Sequence, residues 1–177
     1  IEMPVMCYIT ALPLLLRADP NVRVIMASTL TTRGADIAMR AMRLGAADYV
    51  PKPSTIGTVG DERFRRALVD KVKGLARMRH RTTRSAPVPA KRPAPVLPAQ
   101  LLAIGSSTGG PQALFTLVQG LGRQIGVPVV LTQHMPPTFT PILADHITRL
   151  GGLGCTEAKD GELLTHSHIY LAPGDRH

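Results

Sequence analysis

The sequence predicts an α/β protein made of two parallel-sheet pieces on either side of a tether. Three observations predict it. Short apolar strand candidates alternate with amphipathic helix candidates along most of the chain. Residues 80–98 break that alternation with a proline-rich, basic run. Immediately after it, an apolar strand candidate meets a helix candidate through a turn of glycine and serine. The pieces are therefore placed at 1–79 and 99–177.

In the first piece, Val22 to Ala27 reads as a buried strand. Gly34 to Leu44 reads as a helix whose Ile37, Ala38, Ala41 and Met42 share a face. Tyr49 and Val50 form a short strand that stops at Pro51-Lys52-Pro53. From Asp61 to Arg79, Phe64, Leu68, Val72 and Leu75 make one apolar stripe while Arg and Lys cover the rest, which predicts a strong helix. From Thr82 to Gln100, five prolines remove amide donors and favour extended backbone, so the segment cannot build a core. In the second piece, Leu101 to Gly105, Val127 to Thr132 and Ile169 to Ala172 read as three strands. Gln112 to Gly122 and Pro141 to Leu150 read as helices. No internal repeat is visible.

Composition narrows the function classes. With 44% apolar and 19% charged residues the chain is of ordinary globular type. No apolar run approaches the roughly 18 residues of a membrane span, so no membrane insertion is expected. Two cysteines, Cys7 and Cys155, are no disulfide framework and fit a cytoplasmic location. The net charge of +9 gathers between Arg63 and Arg92. A basic stripe can grip nucleic acid, but three Phe, three Tyr and no Trp leave little for base stacking. A solvated helix and tether is the better reading, and no nucleic-acid partner is expected.

Gly105-Ser106-Ser107-Thr108-Gly109 fits the Gly-x-Ser-x-Gly nucleophile elbow and stands between a strand and a helix, where such a turn must stand. The turn lifts the Ser107 hydroxyl above the sheet and leaves amides at the helix start for an oxyanion, Thr108 being the natural donor. A serine needs a base. His134 follows the next strand, so the two residues fall at the same end of parallel strands, roughly 4.8 Å apart if the strands are neighbours. A phosphate cradle is the rival reading. However, Gly105, Gly109 and Gly110 do not fit the dinucleotide fingerprint, and no Walker lysine is present. His166 and His168 could present two imidazoles to a metal, but with no clear third ligand a surface turn is preferred and no metal site is expected.

The second piece resembles the catalytic domain of chemotaxis protein-glutamate methylesterases in four blocks. These are Ile104 to Gly110, Thr132-Gln-His-Met-Pro-Pro137, Ala158-Lys-Asp-Gly-Glu162, and Ile169 to His177. The resemblance implies a doubly wound, Rossmann-like esterase domain with Ser107 as nucleophile and His134 as base. It implies hydrolysis of glutamate methyl esters and deamidation of glutamines on methyl-accepting chemoreceptors, without metal or organic cofactor. The first piece resembles the receiver domain of a response regulator, a flavodoxin-like parallel sheet. Glu2 to Met6 resembles the loop after the phosphoacceptor, Ser28 the hydroxyl residue ending the fourth strand, and Gly45 to Pro53 the final strand with Lys52. Ser28 and Lys52 are thereby implied as partners of a phosphoryl group delivered by a chemotaxis histidine kinase. Mg2+ is expected only for phosphorylation of a complete receiver.

On this resemblance the phosphoacceptor aspartate falls one position before Ile1. The resemblance likewise puts the carboxylate that would orient His134 well beyond His177; Asp145, Asp160 and Asp175 do not match its motif. Cys7-Tyr8 departs from the Asp-Gly that receivers usually carry there. The fragment alone is expected to be inactive. The alternative is a non-catalytic receiver-type signalling or binding fragment.

Overall fold

The computed structural model describes residues 6–53, 58–81, 98–121, 125–150 and 152–176. Helix α1 (Tyr8–Ala18) precedes strand β1 (Ile25–Ser28), helix α2 (Thr32–Arg43), strand β2 (Asp48–Pro51) and helix α3 (Thr58–Arg81). Then come β3 (Leu102–Ser106), α4 (Gly110–Leu121), β4 (Val129–Gln133), α5 (Thr140–Thr148), β5 (Gly154–Glu157) and β6 (His168–Leu171). β1 and β2 pair in parallel, and a second sheet has the order β3-β4-β6-β5, also parallel throughout. The α/β class with parallel sheets is as predicted. The prolines Pro87 to Pro95 of the predicted tether lie outside the described residues.

α2 shows how the sequence sets its own ends. The Thr31 side chain accepts from Gly34 N at 3.0 Å and caps the start. At the other end Gly45 takes φ +106°, a left-handed value that suits glycine. Gly45 N then reaches Met42 O and Ala46 N reaches Ala41 O, which satisfies the last carbonyls. Between these caps Ala35, Ala38, Met39, Ala41 and Met42 are all 0–1% exposed. They belong to one buried cluster that also holds Leu114, Leu131, Phe139, Leu143 and Ile147, so α2 joins the two sheets through a shared core. Burying each Met or Leu there contributes about 1.5–3 kcal/mol.

Two elements escaped the sequence reading. α1 carries Pro13 in its interior and has no side-chain cap at Cys7, so neither usual start signal marks it. β5 has only four residues and follows glycines that read as a turn. It makes the second sheet four-stranded, where three strands were expected. β1 also starts three residues later than predicted, at Ile25.

Candidate active site

β3 and β4 are neighbours, paired Leu102 with Val129 through Ser106 with Gln133. His134 N continues the ladder by donating to Ser106 O at 3.2 Å. Ser107 and His134 therefore leave the sheet side by side, and both are exposed. The turn closes with Gly110 N donating to Ser107 O at 2.8 Å, and Gly109 takes φ +73°. That value is open to glycine and strained for other residues. No hydrogen bond joins the Ser107 hydroxyl to the His134 ring among the described residues, nor does any carboxylate reach that ring. Thr108 is half-buried.

A carboxylate from the other sheet occupies this turn. Asp48, the first residue of β2, is 1% exposed. Its Oδ2 accepts from Gly109 N at 2.8 Å. Oδ1 accepts from Tyr49 N at 2.7 Å and from Lys71 Nζ at 2.8 Å. A buried charge needs such partners, and here it has three. Lys71 also stands 5.3 Å from the Tyr49 ring centre, over its face. Tyr49 in turn stacks on Phe139, centroids 4.7 Å apart and planes 13° from parallel. Burial, and then the Asp48 charge, push the Tyr49 phenol up from its ordinary value. At Gly74 of α3 a Cβ would come within 3.2 Å of Thr108 Cγ2, so that helix also lies against the elbow. The sequence reading missed all of this because it treated the elbow amides as free.

A second contact also joins the two pieces. His146 of α5 and Asp36 of α2 approach to 2.9 Å, and since the carboxylate only accepts, Nε2 carries the proton. Its Nδ1 is buried with no hydrogen-bond partner among the described residues.

Residues 102–177 match the protein family described as CheB methylesterase. Over the whole chain, the protein-glutamate methylesterase/protein-glutamine glutaminase of the group 2 operon of Rhodospirillum centenum is 48% identical. The match covers 100% of this chain and 53% of the relative. The corresponding protein of Azospirillum brasilense is 49% identical, with 100% and 52% covered. The whole chain is thus similar to protein-glutamate methylesterases, and its residues 102–177 match the CheB methylesterase family. It spans about half the length of the curated relatives it matches. Among solved structures, the CheB methylesterase catalytic domain of Thermotoga maritima is 40% identical over 45% of this chain and 42% of its own, with a TM-score of 0.42.

The other residues that the sequence singled out fall as follows. Ser28 ends β1, is 8% exposed, and donates to Gly34 O at 2.7 Å. Lys52 follows β2, and its backbone N donates to Ser28 O. The two residues thus share the C-terminal edge of a parallel pair, where α/β sheets place ligands. His166 Nδ1 is within hydrogen-bond distance of Gly126 O, and His168 Nε2 is 2.9 Å from Thr156 Oγ1. No group of three or more His, Cys, Asp or Glu among the described residues could hold a metal. Asp145 is paired with Arg149 at 3.0 Å. No described helix is long and apolar enough to cross a membrane.

Proposed function

We propose that this chain carries the nucleophile and base of a serine esterase that hydrolyses glutamate methyl esters, and deamidates glutamines, on chemoreceptors. The observation that carries the reading is the placement of Ser107 on an elbow turn beside His134, at the ends of adjacent parallel strands. Ser107 Oγ attacks the ester carbonyl while His134 takes its proton. Thr108 N–H stabilises the oxyanion, and His134 returns the proton to departing methanol. Water, deprotonated by the same histidine, then frees the glutamate carboxylate. The family name of the relatives supports the reaction class.

The first piece is read as a receiver whose phosphorylation by a histidine kinase controls the esterase, with Ser28 and Lys52 about the phosphoryl group. Asp48 on Gly109 N and α3 on Thr108 support that reading, because they place this piece on the elbow itself. Mg2+ is expected only with a complete receiver.

A serine-directed fluorophosphonate, applied to a protein of the relatives' full length that contains this chain, tests the proposal. Labelling at Ser107, and loss of receptor demethylation in Ser107→Ala, are expected. Ser107→Ala with activity within twofold of the parent would overturn it. Absent labelling, with receptor binding retained, would favour a non-catalytic signalling module.

A further inference from the structure

Gln133, the last residue of β4, is 5% exposed and has its whole carboxamide engaged. Nε2 donates to Ser107 O at 3.1 Å and to His134 O at 3.2 Å. Ser106 Oγ donates to Oε1 at 2.6 Å. The orientation of the amide follows from chemistry: two carbonyl oxygens can only accept, so the NH2 must face them. One buried side chain therefore holds the backbone of the proposed nucleophile and of the proposed base together.

The consequence lies in the peptide planes. Ser107 O is held by both Gln133 Nε2 and Gly110 N. In a trans peptide the C=O and the following N–H point to opposite sides. Fixing the Ser107 carbonyl inward therefore aims Thr108 N–H away from Gln133, and that N–H has no hydrogen-bond partner among the described residues. His134 is fixed at both ends, N on Ser106 O and O on Gln133 Nε2. Gly110 keeps the space: a Cβ there would lie 2.0 Å from Gln133 Oε1 and 2.9 Å from its Cδ. Any larger residue would push the amide off its partners.

We propose that Gln133 is a positioning residue that presets Thr108 N–H as oxyanion donor and fixes the spacing of Ser107 and His134, with Gly110 acting through it. This rests on Ser107 being the nucleophile. The test uses a protein of the relatives' full length that contains this chain, assayed with a glutamyl methyl ester peptide. Gln133→Met keeps the length and removes the donors. It should lower kcat about 10- to 100-fold and leave KM within about twofold, since a mis-aimed donor is missed in the transition state and not in substrate binding. Gly110→Ala should give a similar kcat loss, and the double variant should be no worse than the poorer single one, because both act on one amide. A role in folding alone would lower thermal stability and the fraction of sites that fluorophosphonate titrates, and would leave kcat per titrated site unchanged. Unchanged kcat in Gln133→Met, a change confined to KM, or multiplying losses in the double variant would each overturn the proposal. Should Gln133→Met not fold, kcat and KM of Gly110→Ala decide alone. A parent protein that no fluorophosphonate labels at Ser107 would overturn the functional reading itself, and this inference with it.

Discussion

Asp48→Ala removes a carboxylate whose three partners are all within 2.8 Å. Lys71 would be left with its side chain 19% exposed and no counter-ion, and Gly109 N–H without its acceptor. Breaking a buried pair in this way costs about 3–5 kcal/mol, and the partial exposure of Lys71 places this case near 3. For a chain of this size each kcal/mol moves the melting temperature by about 2–4 °C, so a fall of about 6–12 °C is expected. The share that ties the two sheets is the single Gly109 bond. A hydrogen bond to a charged acceptor is worth about 1.5–3 kcal/mol, so amide exchange at Gly109 should quicken by about 10- to 100-fold. Thermal melts and hydrogen exchange read by NMR measure the two effects separately. Comparing Asp48→Ala, Lys71→Met and the double variant isolates their coupling. Unaltered exchange at Gly109 would refute the assigned contact, whatever happens to the melting temperature.

Phe139→Leu takes away the ring on which Tyr49 stacks at a site 0% exposed, and should cost about 1–3 kcal/mol, read by urea denaturation. The Thr10 hydroxyl holds the exposed Cys7 thiol below its ordinary value, whereas burial pushes the Cys155 thiol up to about 12. Iodoacetamide at pH 8 should therefore alkylate Cys7 and spare Cys155 in the folded chain, as peptide mass spectrometry would show. Since no carboxylate reaches the His134 ring among the described residues, these 177 residues alone should turn over methyl ester on the order of 10⁴ more slowly than a longer protein that supplies one. Comparable methanol release from the two would refute this.

The sequence made the elbow and its histidine readable because both follow from local rules. A strand, a glycine turn and a helix announce Ser107, and the next strand end announces His134. What it hid was long-range. Asp48 reads as one polar residue at the start of a strand, and nothing nearby says that its acceptor oxygen meets Gly109, 61 positions later. Gln133 looks like one letter of a motif until the fold brings Ser106, Ser107 and His134 round it. α1 stayed hidden because Pro13 contradicts helix propensity, which tertiary packing at Leu12 overrides. The edge position of β5 was hidden too, because strand order is settled by which faces bury one another and not by the order of the chain.

Asp48 divides its two oxygens unequally between neighbours. Oδ1 stays with Tyr49 N and Lys71, both of its own segment, and only Oδ2 reaches across to Gly109. Parting the two sheets here would break one bond and strand no charge, because the ammonium travels with the carboxylate. What resists parting at this point is the wetting of the Tyr49 and Phe139 rings, to which the shared α2 core and the His146–Asp36 contact add their own resistance.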